Sequence, residues 1–376
     1  MNFYKLFISF LLTAILLSIP VFSQPLELEK NNVDSPMFRG DVSRSGVYNT
    51  TGVKNLNGVK WKFTTKFKRA GKSSPAIKDG IAYFGSGGGM FYAVNISDGE
   101  MIWEFKTGRQ IQSSPAVGSG IVCFGGEDSV FYALDHKTGK ELWRFKAGNK
   151  INSSPLIFDG VVYFGSDDFY LYAFNINTGV LIWKKETYGR VDSSPTLVDG
   201  IIYFGSRDGV VHAIQSASGK DVWSYITGAG IASSACVYDG VVYIGSRDGA
   251  FYAIDAASGN LNWKFWCKGK VHSSPAVADG AVYFTCKGGY CYALDAKAGK
   301  EIWAYQADGS PSISPPAVAD GVVIYGTYSG NLIALDAKTS EQLWFFKSEQ
   351  GVMSAPVVLD GVVYFSSMDG CIYALH

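Results

Sequence analysis

Along most of the chain, apolar residues come in short runs closed by glycine or polar residues, and the order of the runs repeats. In the unit that ends at Trp303, Ser274–Val277 predicts a first strand, Asp279-Gly280 a hairpin turn and Ala281–Thr285 a second strand. A third strand is predicted at Tyr290–Leu294, a reversal at Ala298-Gly299-Lys300, and a fourth strand carries Trp303. Runs such as Val161-Val162-Tyr163-Phe164 are continuously apolar, which is expected where both faces of a small sheet are covered. Helical spacing is missing from the repeats.

The period decides the architecture. Trp103, Trp143, Trp183, Trp223, Trp263 and Trp303 are spaced by 40 residues, and Trp344 follows after 41. An alanine after Tyr or its equivalent recurs at Ala93, Ala133, Ala173, Ala213, Ala253, Ala293, Ala334 and Ala374. Four strands per unit and eight units predict an all-β fold, an eight-bladed β-propeller of four-stranded antiparallel blades over 59–376. The ends are complementary. Ile372–His376 reads as a third strand lacking a fourth, and Val59–Phe63 as a fourth strand lacking the other three. Pairing them closes the ring and covers two sheet edges.

Residues 1–23 read as a signal peptide. Lys5 is the only charge, Leu6 to Phe22 is almost wholly apolar, and Val21 and Ser23 suit a cleavage site. The same run kept as an anchor is the alternative, though 17 residues is short for a span. Residues 24–58 form a lead-in. The first cysteine is Cys123, so no lipid-anchor cysteine follows the apolar run, and the expected location is the periplasm or cell envelope, or outside the cell. Lys plus Arg and Asp plus Glu are 33 each, which argues against a general binder of nucleic acid or anionic membranes. Six cysteines are too few for a disulfide scaffold; Cys286 and Cys291 flank one hairpin turn and could pair or stay thiols. No Cys-x-x-Cys or His-Glu-x-x-His occurs, so zinc chemistry is not expected.

The phrase from Tyr132 to Trp143, Tyr-Ala-Leu-Asp-x-x-Thr-Gly-Lys-x-x-Trp, resembles the tryptophan-docking repeat of the pyrroloquinoline-quinone (PQQ) family of propellers. The lead-in phrases Phe38-Arg39-Gly40-Asp41 and Arg44-Ser45-Gly46 resemble the segment that precedes such propellers. The resemblance makes Trp61, Trp103, Trp143, Trp183, Trp223, Trp263, Trp303 and Trp344 structural docking residues. It also implies two branches. One is quinoprotein alcohol and sugar dehydrogenases, with PQQ and calcium over the channel. The other is non-enzymatic and includes the BamB-like component of the outer-membrane barrel-assembly machinery. The dehydrogenase branch carries adjacent cysteines, large insertions and a channel tryptophan. Here no cysteines are adjacent, the period stays near 40, and the one extra tryptophan, Trp266, falls on an outer strand. The expectation is therefore a monomeric, non-enzymatic BamB-like scaffold with no cofactor, no catalytic centre and no required metal, binding segments of exported or outer-membrane proteins. A PQQ-dependent dehydrogenase, or a small-ligand or sugar sensor, is the alternative.

Positions that repeat identically maintain the fold, so a binding site is sought where the copies differ. Just before each Ser-Ser pair stand Lys72, Gln112, Asn152, Asp192, Ala232 and His272. The loops between fourth and first strands add Arg109, Lys150, Arg190 and Lys270, and the turns between second and third strands add Asp167, Arg207, Arg247 and Lys287. All are predicted to open onto one mouth of the central channel. The candidate binding set is Arg109, Lys150, Asn152, Arg190, Asp192, Arg207, Arg247, Lys270, His272 and Lys287.

Overall fold

Each forty-residue unit folds as four antiparallel strands, here A to D from the channel outward. The computed structural model describes residues 34–67 and 71–376; the signal peptide read at 1–23 and the first part of the lead-in lie outside the described residues. Blade 6 shows the common register: Ala276–Ala278 pairs with Ala281–Thr285, which pairs with Tyr290–Asp295, which pairs with Glu301–Gln306. Seven sheets keep chain order, and their strands A begin at Ala76, Ala116, Leu156, Thr196, Cys236, Ala276 and Ala317. Blade 8 is built from both ends. Its strands A to C, Val357–Leu359, Val362–Ser366 and Cys371–Leu375, are completed by Val59–Thr64, with Trp61 opposite Ala374. All regular structure among the described residues is strand.

Strand A is shorter than the pattern predicts, because the serines before it bond across blades instead of within a ladder. The Ser74 amide donates to Ser114 Oγ at 2.9 Å, and the same link passes from Ser114 to Ser154, Ser194, Ser234 and Ser274. The Ala355 amide donates to Ser74 Oγ and extends this belt into blade 8. Pro315 of blade 7 has no amide hydrogen to give, so the belt breaks there.

The docking tryptophans join neighbouring blades at the periphery. Trp103 Nε1 donates to the His136 carbonyl of blade 2 at 3.1 Å, and its ring lies on Gly139, where a Cβ would sit 2.6 Å from the ring. Gly139 also has φ +70°, so two requirements select glycine. Trp344, last in the series, donates instead to the Val53 carbonyl of the lead-in at 2.6 Å. The lead-in thus stands in for the next blade at the junction where the ends meet.

The lead-in then covers the face of the ring that carries the A–B turns. Its backbone bonds successively to strand A of blades 1, 2, 4, 5, 6 and 7, through Ser35, Pro36, Val42, Ser43, Ser45 and Gly46. Arg39 and Arg44 point inward and are fully buried. Arg44 Nε donates to the Pro195 carbonyl at 2.9 Å and Nη2 to the Ser154 and Pro155 carbonyls at 3.1 Å, while Nη1 reaches the Phe38 carbonyl. Arg39 donates to the Pro275 and Pro316 carbonyls. Each guanidinium ties two blades to the strap, and Arg39-Gly40-Asp41 is a turn of that strap. A Cβ at Gly46 (φ +66°) would fall 1.9 Å from Arg39 Nη2, so nothing larger than glycine fits there.

Candidate functional site

With one face sealed, the channel is a blind well. Phe38 forms its floor, the serine belt its wall, and the D–A loops and B–C turns its mouth. The backbone pins the two loop sets together: the amides of Asp167, Arg207, Arg247 and Lys287 donate to the carbonyls of Lys150, Arg190, Gly230 and Lys270. The mouth encloses about 360 Å³ lined by Lys72, Gln112, Asn152, Asp192, Ala232 and His272, as the register predicts. Ile313 completes the lining, together with Glu127 and Arg207 from the B–C turns. Glu127 was missed by sequence reasoning, although it holds the position of Asp167 one repeat earlier.

The mouth is divided by charge. In blades 2 and 3, Lys150 Nζ lies 2.9 Å from Glu127 Oε2, and Gln112 Nε2 donates to Glu127 Oε1 at 2.8 Å. Burial pushes the Glu127 carboxyl up, but Lys150, Gln110 and Gln112 together hold it below the usual carboxylate range. Arg207 Nε donates to Asp192 Oδ2, and Arg190 Nη1 stands 3.9 Å from Asp167 Oδ2. Burial, then the neighbouring Asp192, raises the Asp167 carboxyl, while Asp167 and Arg207 together hold Asp192 below the usual carboxylate range against the cost of its burial.

In blades 4 to 6 cations are in excess. Burial and the charges of Lys287, Arg207, Arg247 and Lys270 push His272 down to about 3, so its imidazole is neutral at ordinary pH. Burial also lowers Lys72. His272 Nε2, Asn152 Oδ1 and Asp167 Oδ1 are buried without a hydrogen-bond partner among the described residues. The structure therefore brings together Asn152, Asp192, Arg207 and His272 around the well, with Lys150 and Arg190 joined through acids and Arg247, Lys270 and Lys287 grouped about His272. Arg109 is exposed and joins none of the ion pairs among the described residues.

On the opposite face a wider cleft of about 1070 Å³ runs between the strap and the A–B turns. Its Asp320 is paired with Lys54 at 3.1 Å, and its Asp41 accepts from Ser43 and Ser45. The six cysteines are free thiols, Cys286 and Cys291 included. None lines the well, and Trp266 lies on the outer D strand of blade 5. The adjacent cysteines and channel tryptophan that the resemblance assigns to a quinone site are thus not what this well presents. Among the described residues no group of three or more His, Cys, Asp or Glu could hold a metal, and no helix is long and apolar enough to cross a membrane.

Solved structures place this fold beside others of unlike description. BamB from Moraxella catarrhalis is similar with a TM-score of 0.76 and 17% identity, covering 86% of this chain and 100% of that one. A europium-containing methanol dehydrogenase is similar with a TM-score of 0.81 and 17% identity, covering 90% of each chain. A computationally designed protein, Ika8, reaches 0.72 at 19% identity over 87% of this chain and 99% of its own. At such identity these likenesses show the fold alone. No curated protein matches the chain. The family model described as outer membrane protein assembly factor BamB matches residues 54–150, 92–235, 207–314 and 311–376, which together span every blade. The chain belongs to that family of PQQ-repeat propellers.

Proposed function

We propose that this protein is an exported, non-enzymatic scaffold of the cell envelope whose channel mouth holds an acidic, extended segment of a partner protein. The observation that carries the reading is the surplus of cations about His272, above a well whose buried polar atoms lack partners. A blind well cannot thread a chain, so the segment lies across the mouth and offers one side chain to it. A carboxylate suits the sector of Arg247, Lys270 and Lys287, where guanidinium and ammonium groups supply charge-assisted hydrogen bonds. Asn152 Oδ1 accepts a donor from the same segment. Arg207 holds Asp192 and serves as a positioning residue, while the exposed Arg190 and Arg247 meet the partner.

The test is binding of a fluorescent glutamate-rich peptide at rising ionic strength. Binding should weaken steadily with salt. The change Arg190→Glu, Arg247→Glu and Lys287→Glu should abolish it without lowering the melting temperature, since all three are exposed loop residues. Undiminished binding to that variant at low salt would sink the reading. Dye-coupled oxidation of alcohols or sugars with added PQQ and calcium, above background and lost on a mouth substitution, would sink it in favour of an enzyme.

A further inference from the structure

Outside the basic mouth, blades 3 to 5 carry on the same face four large apolar side chains at places where the other repeats have none. Phe67 and Tyr328 are exposed elsewhere on that face. Position 169, the tip of a B–C turn, has φ +77°. Its equivalents are Gly89, Ser129, Gly209, Gly249, Gly289, Gly330 and Gly370, all with positive φ. A bulky residue there works against the backbone, yet Phe169 is present and 45% exposed. Beside it, the Thr187 amide donates to the Phe169 carbonyl at 2.8 Å, and Tyr188 follows, 95% exposed, where neighbouring repeats have Gly108, Gly148 and Gly228. Ile226 and Trp266 end strands D of blades 4 and 5 at 75% and 60% exposure, where other blades end in Thr64, Lys106, Lys146, Glu186, Gln306 and Lys347.

These four form one arc. The Tyr188 amide donates to Asp208 Oδ2 at 3.0 Å, Asp208 Oδ1 accepts from the Val210 amide, and Val210 is the register partner of Ile226. One blade on, Trp266 is paired with Ala250. Cations border the arc: Arg190, Arg247 and Lys270 on its inner side, and Lys264, whose Nζ lies 5.2 Å from the Trp266 ring centroid. Exposed apolar residues at the start of strand D, such as Ile102, Leu142, Ile182 and Ile302, recur in most repeats and carry no such meaning.

We propose that this arc docks the ring on an anionic lipid surface, Phe169, Tyr188, Ile226 and Trp266 entering the interface while the neighbouring Arg and Lys meet the headgroups. The shape favours lipid over a second protein. The four side chains are separate knobs, and none lines a cavity described above, whereas a peptide needs a groove. A bilayer interface takes up isolated aromatic rings beside basic side chains. The even charge balance of the whole chain conceals this sector: the mouth acids Glu127, Asp167 and Asp192 stand against cations within the ring, and Asp208 and Asp248 beside the arc turn carboxylate oxygens to the Tyr188 and Gly228 amides. The proposal goes beyond the peptide reading and uses different anchors.

The experiment is sedimentation of the exported protein with vesicles of phosphatidylglycerol and phosphatidylcholine in equal parts, against phosphatidylcholine alone. Tryptophan quenching by brominated lipid is read in parallel. Residues 1–60 contain no tryptophan, so quenching reports the propeller and not the apolar leader run. Binding to the anionic vesicles, with quenching that Trp266→Phe removes, is expected. A variant taking the residues of other repeats (Phe169→Gly, Tyr188→Gly, Ile226→Gln and Trp266→Gln) should keep or raise the melting temperature. It should bind the vesicles at least about tenfold more weakly. Equal binding of that variant, or no quenching of the parent at low salt, overturns the proposal. So does loss of glutamate-peptide binding in the variant with vesicle binding intact, which would make the arc a protein-docking surface.

Discussion

On the sealed face, Arg44 is fully buried, aims its guanidinium at four backbone carbonyls, and is pushed down to about 9 by burial. On the open face, the Arg190 side chain is 61% exposed and its one ionic neighbour, Asp167, stands 3.9 Å away. Both sit outside the strands of the same ring. The difference lies in what surrounds them. Carbonyl dipoles converging from two blades and the strap make a buried cation tolerable and turn it into a fastener, whereas a water-facing arginine keeps its charge available to something else. An arginine count therefore says little here until each one is placed on a face.

Experiments can break this contrast in descending order of effect. Deleting residues 371–376 removes strand C of blade 8 and the partner of Val59–Thr64, on which both faces depend. Cooperative loss of structure is expected in thermal melts, and an unchanged melting temperature would refute the closure. Arg44→Ala leaves four carbonyls short of a donor while relieving a buried charge, and should cost about 3 kcal/mol in denaturant unfolding. Arg207→Ala strips the half-buried Asp192 of its cation beside Asp167 and should cost about 1–3 kcal/mol. Arg190→Ala should stay within about 0.5 kcal/mol. If Arg190 and Arg44 cost alike, the two faces do not differ as described.

The smallest effect is on pH dependence. The Asp167 carboxyl is raised in the fold, so its contribution is present at low pH and lost as pH climbs from the ordinary carboxylate value through about 7. Asp167→Asn should thus gain melting temperature relative to the parent between pH 5 and pH 8 (about those values). His272 is lowered, so its contribution is present above about 6.5 and lost as pH falls towards about 3. His272→Gln should flatten the acid side of the curve, and an unchanged acid side would place His272 in contact with water.

The ring was legible because its signals are redundant. Eight tryptophans, eight Asp-Gly or equivalent turns and one period each imply the others, so the strand B and C boundaries match those predicted within a residue. The mouth was legible as a set of positions for the same reason: repeat register places equivalent residues at equivalent loops. Their pairing was not. Whether Arg207 meets Asp192 or solvent depends on side-chain reach across neighbouring blades, which spacing does not encode. The apolar arc was not read from the sequence: its members depart from the glycine or polar residues of other repeats at fixed register, but only exposure distinguishes Trp266 from Trp263 three residues earlier. The strap could not be read in detail, since Arg39 and Arg44 bond to carbonyls and no side-chain pattern announces a carbonyl.

The strap has a consequence for how the molecule comes into being. Its contacts reach across almost the whole chain: Arg39 to Pro316, Tyr48 to Pro356, Thr50 to the amide of Asp360. Such contacts have the highest loop-closure cost and form late. In a chain delivered from its amino end, the strap arrives first and its binding sites arrive last. Ser35 and Pro36 meet blades 1 and 2 early, but Arg39 lacks its second blade until Pro316 of blade 7 exists, and Val59–Thr64 has no sheet until Cys371–Leu375 emerges. Completion of delivery and locking of the ring are thereby one event, and a chain halted before blade 8 has no means of imitating the finished molecule.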